Sequence, residues 1–109
     1  MPTAYKVLGQ SNPAATTLTT LYTVPSATEA VVSTIAICNQ SGSSGTYRIA
    51  VRPAGASIAN QHYLVYGATV AASDSVLLTL GVTLAATDVI SVYGSSANFS
   101  FTAFGSEIS

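Results

Sequence analysis

Apolar and polar positions change places over short distances along this chain. Val, Ile, Thr, Tyr and Phe recur in short runs bounded by Gly, Ser, Asn and Pro, which is the pattern of strands separated by turns. No segment reads as a helix. The runs predict strands over residues 4–8, 18–24, 31–39, 46–52, 62–66, 75–80, 89–93 and 99–104. The second stops at Pro25, whose missing N–H suits a strand end. Residues 31–39 are rich in β-branched side chains and should be central. Residues 56–62 fit a loop or a short helical turn, and Gly67 and Gly81 should each end the strand before them.

Two connections read as hairpins. Ser41-Gly42-Ser43-Ser44-Gly45 offers two glycines for the positive φ angles of a reversal, so 31–39 and 46–52 should pair antiparallel. Gly94-Ser95-Ser96-Ala97-Asn98 should do the same for 89–93 and 99–104. In 46–52, Tyr47, Ile49 and Val51 alternate with Arg48, Ala50 and Arg52. A period of two turns the apolar set to the core and puts both arginines on the other face, which is wet or an interface.

Seven or eight strands near ten residues apart, with Gly and Ser punctuation and no crossover helix, specify an all-β protein. The expected fold is one antiparallel β-sandwich or jelly-roll-like domain over residues 1–109. Its core should combine Val31 or Val32, Ile35, Ile37, Ile49, Val51, Leu78, Leu80, Val89 or Ile90, Val92, Phe99 and Phe101. Both parities of 31–38 and 89–93 are apolar, so either could face inward. A strand apolar on both sides is covered twice or turns its second face to a neighbour. With no helices to cover it, the neighbour is the expectation.

Composition strengthens that expectation. Three residues are Lys or Arg and four are Asp or Glu, against 49% hydrophobic. The surface of a freely soluble small domain is usually about 25–35% charged. A domain of this size hides only about two thirds of the surface its unfolded chain exposes. Many uncharged side chains therefore stay outside, where contact with copies of the chain or with a larger assembly uses them. A net charge of −1 excludes nucleic acid, whose phosphates demand clustered Lys and Arg. The same shortage removes electrostatic attachment to a membrane, and no apolar run approaches the roughly 20 residues of a spanning helix. Residues 1–9 lack the basic start, apolar stretch and cleavage site of a secretory signal, so no export by that route is expected.

Candidate chemistry is sparse. The sequence assigns no catalytic, cofactor-binding or metal-ligating residue, and an enzyme is not expected. His62, the sole histidine, has neither the nucleophile nor the third group of a catalytic relay beside it, and reads as structural or surface. Cys38 ends an apolar run and reads as a buried structural thiol. One Cys and one His do not make a zinc site. Asp74, Asp88, Glu29 and Glu107 are scattered in turn-like contexts, where Asp caps backbone N–H groups. Asn39-Gln40-Ser41 and Asn98-Phe99-Ser100 match the glycosylation pattern, but no export signal accompanies them. The six tyrosines fall one or two per predicted strand and read as core or subunit-interface residues in preference to a sugar platform. Arg48 and Arg52 are the candidate interface residues, because arginine binds carboxylates bidentately and is enriched at interfaces. The alternative is that they are solvated and keep a sheet face from sticking.

Four segments together resemble a known group. Leu21-Tyr22-Thr23-Val24-Pro25 leads to Ala30-Val31-Val32-Ser33-Thr34-Ile35-Ala36-Ile37-Cys38-Asn39. Leu84-Ala85-Ala86-Thr87-Asp88-Val89-Ile90-Ser91-Val92-Tyr93 follows, with Phe101-Thr102-Ala103-Phe104-Gly105-Ser106-Glu107-Ile108 near the end. This progression resembles the small virion structural proteins of tailed bacteriophages. The resemblance carries no catalytic residue. It implies a protein made in the host cytoplasm and housed in the virion, and the uncharged surface adds the expectation of a homo-oligomer, dimer or trimer. In the virion it would bind the major capsid protein or other virion proteins as a cement or decoration protein. A tail, neck or host-binding fibre module and a small carbohydrate-binding sandwich are the alternatives.

Overall fold

The β-branched run at residues 31–39 becomes an interior strand, hydrogen-bonded on both sides. The computed structural model describes residues 3–109. Its eight strands are β1 (Thr3–Ser11), β2 (Thr19–Thr23), β3 (Glu29–Asn39), β4 (Gly45–Arg52), β5 (Tyr63–Val70), β6 (Ser75–Leu84), β7 (Val89–Gly94) and β8 (Phe99–Ile108). Short 3₁₀ turns occupy Pro53–Gly55 and Asn60–His62. Sheet A has the order β1-β8-β3-β6 and sheet B the order β2-β7-β4-β5, with every pairing antiparallel. Successive strands change sheet at every step except β4 to β5. That is the jelly-roll form of the β-sandwich.

Neither predicted hairpin forms. β3 lies in sheet A and β4 in sheet B, and β7 and β8 are divided the same way. The Gly- and Ser-rich connectors are corners that carry the chain across the roughly 10 Å between packed sheets. Gly42 and Gly45 take no positive φ. Gly45 instead makes room for a ring, since a Cβ there would lie 2.7 Å from Phe99 Cε1. The β3–β4 corner is held by Asn39, a buried amide whose Nδ2 donates to the Ser43 and Val70 carbonyls at 2.9 and 3.2 Å. Its Oδ1 accepts from Ser41 N–H at 3.0 Å.

Gly67 and Gly81 do not end their strands. They sit inside β5 and β6 at φ of +82° and +65°, beside register shifts in the pairing. Each is a bulge, where glycine supplies a backbone angle other residues resist.

The parity left open by the sequence is settled by a further register shift between Val32 and Thr34. Because Ser33 bulges out, Val32, Ile35 and Ile37 all turn inward and are fully buried. Ile49, Val92, Phe99 and Phe101 join them as expected, with Ile90 inward from β7. Val51, Leu78 and Leu80 are only half-buried, packed on the margin of this core. Tyr47 faces inward as its alternation predicts, and Tyr22, Leu21, Val24, Ala30, Val70, Leu84 and Ala103 complete the core, the aliphatic ones among them not having been named as core from the sequence.

Candidate functional site

β4 runs through sheet B between β7 and β5, so an outward side chain on it meets neighbours on both sides. Arg48 stands opposite Tyr93 of β7 and Tyr66 of β5. Its guanidinium carbon lies 4.1 Å from the Tyr66 ring centroid and 4.2 Å from that of Tyr93. Both contacts are cation–π stacks, attractive because the ring faces are negative. Tyr63 and Tyr66 are three residues apart and would sit on opposite faces of a regular strand. A register shift between the partners of Ile49 and Ala50 puts them on the same face. Their rings meet edge to face, with centroids 4.9 Å apart. Beside them, Asn60, Tyr63 and Tyr66 line a hollow of about 500 Å³.

Arg52 shares that face with Arg48, as the alternation predicts, but its donors are engaged within the chain. Nε donates to Ser91 Oγ at 3.1 Å, and Nη1 to the carbonyls of Ala56 and Gly55 at 3.0 and 3.4 Å. Asp88 Oδ1 accepts from Ala54 N–H at 2.9 Å and fastens the same segment. Residues 53–62 are thereby tied down against sheet B near Val89, Ser91 and Ala50, all buried. His62 Nδ1 accepts from Ala59 N–H at 3.1 Å, closing the 3₁₀ turn. Arg48 is different. Among the described residues nothing accepts a hydrogen bond from it, and the one ion pair joins Lys6 to Glu107.

The outer face of sheet A has the opposite character. Tyr5 and Val7 of β1, Phe104 of β8, and Thr34 and Ala36 of β3 point outward, with Leu77 of β6 beside Ala36. Tyr5 is 85% exposed and Leu77 66%. By strand parity, Glu29 at one end is the only charged residue among the described residues of this face.

The remaining candidates fall into place around these two faces. Asp74 Oδ1 accepts from Ser75 N–H at 2.8 Å, and Asp88 Oδ2 from Ala85 N–H at 2.9 Å, which is the turn role expected of both. Glu107 is no turn residue. It lies within β8, bonded to Tyr22 and paired with Lys6. Cys38 is half-buried on the outer side of sheet A, not enclosed, because its inward neighbours Ile37 and Asn39 fill the core side. The tyrosines divide by position: Tyr22 and Tyr47 are buried, Tyr5 is exposed on sheet A, and three gather around Arg48. The sequence showed Arg48 facing outward, but not that Tyr93 and Tyr66 flank it. β4 and β7 are far apart in the chain, and nothing local announces their pairing.

No family model, curated protein or solved structure matches the chain.

Proposed function

We propose that this protein is a structural component of a bacteriophage virion, a decoration protein that docks on the capsid lattice and on copies of itself through the outer face of sheet A. The observation that carries the reading is that face: Tyr5, Val7, Leu77 and Phe104 lie open on it, and its one charge stands at the end. Contiguous apolar surface of this kind marks interaction sites. A four-stranded face about 30 Å long measures on the order of 500 Å² in projection. Side-chain relief raises that towards the roughly 800 Å² per partner of a stable interface. The jelly roll recurs in viral capsid proteins and lectins, which fits the reading at the level of fold alone.

Arg48 and Arg52 enter this proposal unequally. Arg52 holds residues 53–62, so a polar contact made by the outer face of sheet B rests on Arg48.

The test is co-sedimentation with purified capsids of the phage that carries the protein, alongside sedimentation of the protein alone. Leu77→Glu and Phe104→Glu together should abolish both associations while the β-rich circular dichroism spectrum is kept. A native protein that stays monomeric at millimolar concentration and ignores capsids would refute the proposal. Labelling confined to tails or fibres would move the protein off the head.

A further inference from the structure

The outer face of sheet B holds a second feature that assembly through sheet A leaves unused. We propose that Arg48, Tyr63, Tyr66, Tyr93 and Asn60 form a binding site for a carboxylate-bearing sugar, a residue of the uronic-acid type.

The geometry begins with the guanidinium. Tyrosine rings on the strands to either side lie 4.1 and 4.2 Å from its central carbon, and its N–H donors, which lie along the planar edge of the group, have no acceptor among the described residues. That edge is a rigid fork matched to the two oxygens of a carboxylate. The stack holds the side chain in place before any ligand arrives, which lowers the ordering cost of binding.

None of the four side-chain carboxylates of the chain pairs with Arg48. Glu107 is engaged by Lys6 and Tyr22, and Asp88 by two backbone N–H groups. Asp74 accepts from Ser75 at the start of β6, and Glu29 opens β3; both strands belong to the other sheet. Of the two arginines on this face, Arg52 spends its donors within the chain and Arg48 keeps its donors for a contact outside it.

The neighbouring hollow argues for a sugar over a protein side chain. Its size, about 500 Å³, falls within the roughly 300–1,000 Å³ of small-molecule sites. It is lined by neutral groups: two aromatic rings, their hydroxyls, and an amide that both donates and accepts. A glutamate side chain would use Arg48 and leave all of this empty. A pyranose ring with C–H groups on its faces and hydroxyls on its rim fills it, laying C–H edges on the negative π faces.

Calorimetric or NMR titration of the whole protein with three probes tests the assignment. Methyl glucuronide and methyl glucoside differ only in whether carbon 6 is a carboxylate, and N-acetylglutamate amide carries a side-chain carboxylate without the ring. The glucuronide should bind about tenfold or more tightly than either of the others. Arg48→Gln should bring it down to the glucoside level, Arg48→Lys should recover only part of the loss, and Tyr66→Ala should weaken it with the fold retained, since Tyr66 is 64% exposed. Equal affinity for glucoside and glucuronide would overturn the proposal, as would no saturable binding or indifference to Arg48→Gln. Equal affinity for the glutamate derivative would overturn it in favour of a protein partner. These titrations need no capsid, so their failure is separate from a failure of docking through sheet A.

Discussion

The phenol of Tyr22, in sheet B, donates to Glu107 Oε2, in sheet A, at 2.5 Å, and Lys6 Nζ meets Oε1 of the same carboxylate at 2.7 Å. One carboxylate thus ties β2 to β8 across the sandwich and β8 to its edge neighbour β1. It is a polar clasp beside an apolar core.

The clasp sets a pH dependence with opposite signs at its two ends. Hydrogen bonds from Lys6 and Tyr22 hold Glu107 below the usual carboxylate range, against a smaller effect of burial. A carboxylate more acidic when folded stabilises fully above its unfolded pKa of about 4.3 and loses that contribution as pH falls through the folded value. Tyr22 is pushed upward, first by burial and then by Glu107. Its contribution is complete below about pH 10 and declines as pH rises beyond it. Denaturation followed across pH should show an acid limb that Glu107→Gln flattens and an alkaline limb that Tyr22→Phe flattens. At neutral pH the Gln variant should cost about 1 kcal/mol. An unchanged acid limb in that variant would place the effect elsewhere.

Asn39 pins two corners of the sandwich with one buried amide, bonding Ser43 and Ser41 of its own corner and Val70 and Ala71 of the next. Removing it leaves carbonyls facing a dry site. Asn39→Ala should therefore destabilise by about 2–3 kcal/mol, read as a shift of the urea midpoint. A loss under about 0.5 kcal/mol would mean that water replaces the amide freely.

Thr87 occupies the left-handed region at φ +69°, in the turn that leads into β7, a costly place for a β-branched residue. Its N–H bonds the Val24 carbonyl at 3.0 Å, a contact that Thr87→Gly preserves. Relief of strain, less the added freedom of glycine in the unfolded chain, should stabilise by about 0.5–1 kcal/mol. A higher melting temperature is the expected reading; a lower one would show that the Thr side chain makes a contribution of its own.

Association through sheet A should persist in high salt, because apolar contact is not screened as exposed charge pairs are. Sedimentation at 0.1 and 1 M NaCl should give the same assembly state. Dissociation by salt alone would point to charged contacts instead.

What could be read from the sequence was whatever repeats over a few residues. The period-two alternation in β4 put Tyr47 and Ile49 inward and Arg48 and Arg52 outward, and both placements hold. The abundance of β-branched residues and turn signals specified a sandwich, and the shortage of charge implied an apolar exterior, now located on sheet A. These follow from local sterics and from what cannot be hidden inside so small a domain.

Tertiary structure alone decided which strands share a sheet. Ser41–Gly45 has the composition of a hairpin and folds as a corner, because the choice rests on Asn39 reaching across to Val70 and Ala71, contacts about thirty residues away in sequence. The bulge at Ser33 fixed which apolar side of β3 is core, and the one in β5 brought Tyr63 and Tyr66 onto one face. Arg48 acquired its two rings in the same way, from strands paired with β4 on either side. A single-residue register shift reverses every side chain beyond it, and such shifts depend on the partner strand, which the pattern of one strand does not contain.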